Sequence, residues 1–281
     1  MTHEEVFLQD ILNTQDDDTP RRIFADWLMD RGSALDAARG EFIHIQCDLA
    51  RFGPDTPRPR HLVLRERELL AAHGREWGSA LLRLGCRCWE YRRGFLSGIG
   101  LTASTLISHA STLYRLAPTL REIKLYEASG LLSEIAACPF LTNIHILDLE
   151  NNDLSDLDLV ALAGPNRLTE LRSLMLWSNR ISDSGLRIFV AKPPPQLDTL
   201  DLSSNVIGDV GAAALADAPA CGRLRRLNLR SNRIGSAGAL SLARSPYATT
   251  LAHLYLTNNP LGFEGSAALR MAFGDRVHLV H

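Results

Sequence analysis

The chain has 281 residues, 46% hydrophobic and only 6% aromatic, and its formal net charge is -2. This length predicts one or two domains with an aliphatic core, and the near-neutral charge argues against a general binder of polyanions. Of the 30 basic residues, 28 are arginine. Phosphate recognition can favour arginine, but a GC-rich genome produces the same bias and is the preferred explanation. Five cysteines without a C-x-x-C pair predict neither a disulfide framework nor a zinc site, so we expect a reduced compartment.

The start of the chain does not resemble a targeting segment. It lacks the basic and long apolar regions of a secretory signal. No later stretch approaches the length of apolar sequence that a membrane span requires. The sequence therefore predicts a cytoplasmic protein without membrane contact, and we expect it to be a monomer.

The first hundred residues carry helical patterns and no repeat. Apolar residues at helical spacing predict the first helix: Val6, Leu8, Ile11 and Leu12. A second helix begins near Pro20, with Asp18 or Thr19 as its cap, and stops at Gly32. Further helices are predicted over 34–51 and 60–73, joined by a loop over 52–60.

A specific set of motifs marks this segment. These are "FLQDILNTQDDDTPRRIFADWLMDRG", "RGEFIHIQCDLAR", "HGREW" and "RRGF". Together they resemble the bacterial repeat-companion domain, clearly over 4–52 and more thinly over 73–95. The resemblance implies a module that precedes leucine-rich repeats, and it brings no established activity. We therefore predict an α-helical capping domain over 1–95, which would cover the leucines and strand edge of a first repeat.

One phrase recurs five times after residue 140. The copies are "IHILDLENNDL", "LRSLMLWSNRI", "LDTLDLSSNVI", "LRRLNLRSNRI" and "LAHLYLTNNPL". Their asparagines lie 27, 26, 27 and 27 residues apart, at Asn152, Asn179, Asn205, Asn232 and Asn259. A fixed period of this size with the pattern L-x-x-L-x-L-x-x-N is the leucine-rich-repeat signature and indicates a solenoid.

Each position that recurs in the five copies of the phrase has a physical role. The central L-x-L places two leucines on the inner face of a short strand. A buried asparagine amide needs partners, so we predict a structural ladder in which each asparagine bonds the turn backbones of neighbouring coils. Helical segments follow, with starts near Ser182, Asp183, Asp209 and Ser236. Glycines six residues after the asparagine predict a close approach to the next coil, and an apolar column points inward: Leu162, Phe189, Leu215, Leu242 and Leu269.

Strand, turn and helix in each repeat resemble the ribonuclease-inhibitor-like class of leucine-rich repeats. The resemblance implies an α/β fold over 96–281, a right-handed solenoid with a curved parallel sheet and outer helices. Leu120–Leu131 forms a degenerate coil with Ala128 in place of asparagine. Phe95–Leu101 and Arg276–Val280 are predicted as further strands.

Outward positions beside the central leucines predict a binding surface on the concave face. One column lies between the leucines: Lys124, Asp148, Met175, Asp201, Asn228 and Tyr255. The next outward column contains Tyr126, Glu150, Trp177, Ser203, Arg230 and Thr257. Trp177 lies near the middle of this strip, where it either anchors a partner or lies flat over Met175.

Other chemistry is weakly indicated. Asp16, Asp17 and Asp18 lack EF-hand spacing and are more typical of a solvated helix start than of a metal site. Trp27 is explained as core, and Asp26 as a cap or an ion pair. Neither a zinc-hydrolase motif, nor a nucleophile elbow, nor a phosphate loop is present, so we predict no enzyme activity, cofactor or metal.

The sequence thus predicts a non-enzymatic scaffold that binds a protein partner on its concave face. The alternative is a nucleic-acid-binding module that uses arginine patches: Arg92, Arg93, Arg225, Arg226 and Arg230. A related cluster of Arg83, Arg87, Arg92 and Arg93 is interleaved with Trp89 and Tyr91, a composition that suits single-stranded nucleic acid. A structural role for that cluster is favoured over nucleic-acid binding.

Overall fold

The computed structural model of the protein describes residues 2–14, 17–53, 56–164 and 167–279. The chain divides into two compact units. Met1–Ile99 and Ser111–Leu120 form the first, and Gly100–Ala110 and Arg121–His281 form the second. This division lies a few residues beyond the boundary expected at residue 95 and returns a short segment, Ser111–Leu120, to the N-terminal unit.

Helices dominate the N-terminal unit. They are α1 (His3–Asn13), α2 (Thr19–Asp30), α3 (Ala34–Leu49), α4 (Arg60–Trp77) and α5 (Ser79–Arg83). Thr2 caps α1, and its side chain and that of Glu5 form a reciprocal capping box. The first three helices lie where their patterns predict them, whereas α4 continues one turn beyond His73 and ends at Trp77, with Gly78 as its C-cap.

A β-hairpin follows the helices and was not anticipated as a whole. Its strands are β1 (Cys88–Arg92) and β2 (Phe95–Thr102), of which only the second was predicted. The two linking residues, Arg93 and Gly94, have φ values of 52° and 83°. Positive φ at both central residues defines the two-residue turn that matches the twist of antiparallel strands.

The core of the N-terminal unit consists of aromatic clusters. Phe24 stacks on Trp27 with ring centroids 5.7 Å apart and also contacts Phe95. Phe42 is fully buried and packs against Trp77 and Tyr91 at 5.1 and 5.5 Å. Trp27 is half-buried and packs against this core, which agrees with the role expected from its sequence context.

The hairpin turn is held against α3 by Arg39 and Gln46, which belong to the motif "RGEFIHIQCDLAR". Arg39 donates to the carbonyl of Gly94 at 2.5 Å, while the Gly94 N–H donates to Gln46 at 2.7 Å. A Cβ at position 94 would lie 2.4 Å from Ile43 Cγ1, so only glycine fits. The Arg39 guanidinium also lies over the ring of Trp77 at 4.8 Å, and burial lowers its pKa to about 10. These motif residues have a structural role in the unit.

The second unit repeats strand and helix in regular coils. Its strands are β3 (Glu122–Tyr126), β4 (Ile146–Asp148), β5 (Ser173–Met175), β6 (Thr199–Asp201), β7 (Arg226–Asn228), β8 (His253–Tyr255) and β9 (Val277–His278). Each strand from β3 onward pairs in parallel with the next. Leu147, Leu174 and Leu200 are in register and fully buried, so the sheet presents one face to the core.

Helices connect these strands. They are α6 (Ala103–Leu116), α7 (Leu132–Ala137), α8 (Asp156–Ala161), α9 (Asp183–Ala191), α10 (Asp209–Asp217), α11 (Ser236–Arg244) and α12 (Gly262–Phe273). The boundary between the units runs through β2 and α6. The predicted inward column is buried in every coil: Leu162, Phe189, Leu215, Leu242 and Leu269. The sequence patterns did not predict α6.

Glycines at the helix starts permit a close approach, but to the preceding coil rather than the next one. A Cβ on Gly238 would lie 2.9 Å from the Cα of Asp209, one coil earlier. Asp209 itself is the first residue of α10 and not its cap, since Gly208 occupies the cap position. Its carboxylate instead accepts the Gly235 N–H of the following coil at 2.7 Å.

This contact recurs as an aspartate ladder that sequence reasoning missed. Asp156 accepts the Ser182 N–H, and Asp183 accepts the Gly208 N–H, each at 2.7 Å. Each aspartate lies four residues after the asparagine of its coil, a recurrence that was visible in the sequence. The aspartates therefore satisfy backbone donors at the start of the next helix.

Candidate binding surface on the sheet

The asparagines form a continuous chain of hydrogen bonds between coils. The Nδ2 of Asn205 donates to the carbonyls of Leu176 and Leu202, and its Oδ1 accepts the Ile181 N–H at 2.9 Å. Each asparagine of the ladder donates to a carbonyl of the preceding coil and accepts a backbone N–H from it: Asn152, Asn179, Asn205, Asn232 and Asn259. The ladder fixes the spacing of the strands and thereby positions the residues on the opposite side of each strand.

Three columns of side chains lie on the exposed side of the sheet, which we call the strand face. Two are the predicted columns: Lys124, Asp148, Met175, Asp201, Asn228 and Tyr255, and Tyr126, Glu150, Trp177, Ser203, Arg230 and Thr257. The third precedes the first central leucine of each coil and was missed: Glu122, Ile146, Ser173, Thr199, Arg226 and His253. Alternation along the strands, which puts positions two apart on one face, could have found it.

Charged and aromatic residues are linked at the N-terminal end of the strand face. Lys124 forms ion pairs with Glu150 and, at 3.2 Å, with Asp148. The indole N–H of Trp177 donates to the same Glu150 carboxylate. Burial acts to lower the pKa of Lys124, but its hydrogen bonds with Glu150 and Asp148 outweigh burial and raise that pKa to about 12. Lys124 is therefore held in its charged form.

Trp177 is exposed although it is held in place. Its residue exposure is 40%, whereas the flanking Leu176 is fully buried. The indole N–H donates to Glu150 on the neighbouring coil. One ring edge is thus fixed by the protein while part of the ring contacts solvent.

Polar residues in the middle of the strand face bond to one another. Asp201 accepts the Ser203 N–H at 2.9 Å and the Asn228 amide at 2.8 Å. Asn228 in turn accepts the Arg230 N–H at 3.1 Å. These side chains satisfy the backbone where each strand ends, so they contribute to structure as well as to the surface.

The C-terminal end of the strand face differs from the prediction. Tyr255 stacks on His278 with ring centroids 4.4 Å apart and an interplanar angle of 13°. Thr257, predicted to face outward, is 4% exposed and therefore buried. Its hydroxyl oxygen is buried as well, so Thr257 offers little surface to a partner.

The arginine cluster of the N-terminal unit does not present free aromatic faces. Tyr91 packs edge-on against Phe42, and Arg39 covers its ring at 4.7 Å. Trp89 lies so close to Gly78 that a Cβ there would be 2.2 Å from the indole. Arg93 forms an ion pair with Asp18 at 3.5 Å. Both aromatic rings therefore contribute to packing within the N-terminal unit.

The acidic candidates likewise have local roles. Asp16 lies outside the described residues, and Asp18 precedes α2 without capping it through its side chain. Asp26 contacts His44 Nε2 at 2.8 Å. Within the described part of the chain, no three His, Cys, Asp or Glu side chains are grouped to hold a metal ion.

The cysteines are free, and all except Cys88 are buried. Burial raises the pKa of Cys47 and Cys86 to about 11 and that of Cys221 to about 12, so these three thiols stay protonated near neutral pH. Among the described residues, none of the helices combines the length and apolar character that crossing a membrane requires.

Comparisons with known proteins agree with this architecture. The family pattern described as "Leucine rich repeat" matches residues 169–234, and a second pattern of that description matches 140–163. Similar solved structures include an internalin (inlF) from Listeria monocytogenes, with 22% identity and a TM-score of 0.44 over 65% of this chain and 48% of the internalin.

An internalin C2 (inlC2) from the same organism is 25% identical, with a TM-score of 0.39 over 60% of this chain and 64% of internalin C2. The chain thus spans about half to two thirds of the length of these proteins. No curated protein sequence matches it. The two family matches and the register of the strands show that the chain contains leucine-rich repeats, arranged as an α/β solenoid with a parallel sheet and outer helices.

Proposed function

We propose that the protein is a non-enzymatic scaffold whose strand face binds a partner protein. Sheets of stacked repeats are extended surfaces, and repeat proteins commonly use such surfaces for recognition. The observation that carries the proposal is the exposed Trp177 ring, held at one edge by Glu150. Tryptophan is among the residues that most often anchor protein interfaces.

The fixed position of this indole favours binding. Ordering a free side chain at an interface costs roughly 0.5–1.5 kcal/mol. Here the contacts of Lys124 and Trp177 with the Glu150 carboxylate already restrict the rotamers. A partner would therefore meet a surface that loses little further freedom on binding.

The charges of the strand face suit a protein more than a nucleic acid. The arginines of the strand face, Arg226 and Arg230, lie in and just after β7. Three carboxylates lie on or near the centre of the face, from Asp148, Glu150 and Asp201, and Lys124 forms ion pairs with the first two. Phosphates would be repelled by this group, since nucleic-acid affinity depends on basic residues along the backbone. A protein surface that combines polar, apolar and charged groups would not be repelled in this way.

A cross-linked pull-down from the native cell tests the proposal. The bait proteins are the wild type, Trp177→Ala and, as a matched control, Phe263→Ala, which removes an exposed aromatic ring from α12. We expect one or more proteins to be retained by the wild type and by Phe263→Ala but lost from Trp177→Ala. Equal recovery by all three, with unchanged melting temperatures, would place the partner elsewhere.

A further inference from the structure

A cleft lies along the rim of the solenoid where the chain enters successive strands. In each coil the first leucine of the repeat phrase is buried, and the residues on either side of it point outward. A cavity of about 410 Å³ is lined by Gly222 and by such flanking residues from four successive coils: Arg172, Gln196, Asp198, Arg223, Arg225 and Thr250. This volume is within the range of ligand-binding clefts.

Three guanidinium groups and one carboxylate line this rim cleft. Arg223 reaches the preceding coil and donates to Gln196 Oε1 at 2.9 Å. Asp198 accepts the Thr199 hydroxyl at 2.8 Å. Within the described ranges, the side chains of Arg172 and Arg225 form no ion pair, so the cleft keeps a net positive charge.

The arginines of the rim also affect the pKa of the neighbouring His145. Burial, and after it the charges of Arg121 and Arg172, lower the pKa of His145. His145 occupies the position of Arg172 and Arg225 in an earlier coil, and the backbone of Arg172 bonds to its carbonyl at 2.8 Å. Arg121 and Arg172 thus bring positive charge to the rim beside the cleft, and Glu170 partly offsets it.

We propose that the rim cleft is a binding subsite for an acidic peptide segment, with Arg172 and Arg225 as its carboxylate-binding residues. The planar guanidinium presents a fork of donors that matches a carboxylate in two hydrogen bonds. Arg172 and Arg225 lie on two coils with one further coil between them. Their spacing therefore suits two acidic side chains that are separated along an extended peptide. This site lies outside the strand face, and it goes beyond the function proposed above.

The composition of the cleft favours a peptide over single-stranded nucleic acid. None of its lining residues is aromatic, whereas binding of single strands depends on stacking bases against aromatic rings. Asp198 also lies among the arginines, where it would repel a continuous row of phosphates. Discrete carboxylates can instead contact Arg172 and Arg225 on either side of it.

Fluorescence anisotropy with a labelled hexaglutamate peptide and the full-length chain tests this site. At low ionic strength we expect binding that weakens with added salt, because exposed charges are screened. Arg172→Ala and Arg225→Ala should each weaken binding about fivefold or more, the loss of roughly one charge-assisted contact. Arg225→Lys should recover part of the affinity, since it keeps the charge without the fork.

Two control variants make the result specific. Arg187→Ala removes an exposed arginine from α9, away from the cleft, and should leave hexaglutamate binding unchanged. Trp177→Ala should also leave hexaglutamate binding unchanged. The two proposals, partner binding on the strand face and peptide binding in the rim cleft, can therefore be refuted independently. Melting curves of every variant establish that it is folded.

Three results would overturn the assignment. One is the absence of hexaglutamate binding to folded protein at low ionic strength. Another is an equal loss of affinity in Arg187→Ala, which would indicate general attraction to the protein. The third is tighter binding of an oligothymidylate that Arg172→Ala and Arg225→Ala both abolish, which would make the cleft a nucleic-acid site.

Discussion

The two units of the protein achieve stability in different ways. The N-terminal unit packs aromatic rings that occur once each, such as Phe42 against Trp77. The solenoid packs leucines and asparagines that recur in every coil, such as Leu200 and Asn205. A unique contact has no substitute elsewhere in the unit, whereas a repeated contact is one member of a series that couples neighbouring coils.

The contrast also lies in how far apart the contacting residues are in sequence. Arg39 and Gly94 are 55 residues apart when they meet in the N-terminal unit. In the solenoid, contacts between coils span about one repeat, as in the 27 residues between Asn152 and Asn179. Contacts of constant separation leave a period in the sequence, and contacts such as that of Arg39 leave none.

The largest destabilisation is expected in the N-terminal unit. Phe42→Ala removes a fully buried ring that contacts Trp77 and Tyr91, and it should lower the free energy of unfolding by about 3–5 kcal/mol. Urea unfolding followed by tryptophan fluorescence measures this. Leu64→Ala, at an exposed position on α4, is the matched control and should change stability by less than about 0.5 kcal/mol.

A leucine of the solenoid tests the register of the sheet. Leu200 is fully buried and in register with Leu174 and Leu227, so Leu200→Ala should cost about 2–5 kcal/mol. Circular dichroism during thermal unfolding provides the measurement. Melting together with the wild type would mean that Leu200 does not face the core, and the assigned faces of every strand would be reversed.

The asparagine ladder should show a smaller effect. Asn205→Ala leaves the Ile181 N–H and the Leu176 carbonyl without their side-chain partner, at a cost of about 1–3 kcal/mol. Asn228→Ala removes the partner of the Arg230 N–H, but Asn228 is only half-buried, so water can replace its amide and the cost should be smaller, about 0.5–1 kcal/mol. If the two variants were equally stable in urea, the buried ladder would not be what couples the coils.

The regular part of the solenoid was predictable from the sequence because one short pattern fixes each coil. Leucines at fixed offsets identified the strands and their buried face, and Asn205 and its equivalents marked the turns. The column that contains Glu122 followed from the same alternation but was overlooked. The outward placement of Thr257 was wrong: the repeat pattern assigns the same face to this position in every coil, but the Thr257 side chain is buried.

The remaining features depend on contacts that only the folded chain brings together. The β1–β2 turn at Arg93 and Gly94 is held by Gln46 and Arg39 from a distant helix. The ion pairs of Lys124 with Asp148 and Glu150 cross from one coil to the next. The rim cleft likewise arises from side chains of separate coils, so no single stretch of sequence contains it.

Trp177 provides the sharpest comparison between a surface residue and these core positions. As a residue that is 40% exposed, it should contribute little to stability, yet it should dominate recognition on the strand face. Trp177→Ala is therefore expected to melt close to the wild type, in contrast to Phe42→Ala and Leu200→Ala.

The most direct measurement is the dissociation constant of the captured partner protein for the wild type and for Trp177→Ala, determined by titration calorimetry. The account predicts a loss of at least about 2 kcal/mol of binding free energy, roughly a thirtyfold weaker complex, with the melting temperature nearly unchanged. An unchanged dissociation constant in folded Trp177→Ala would contradict the claim that the strand face binds the partner.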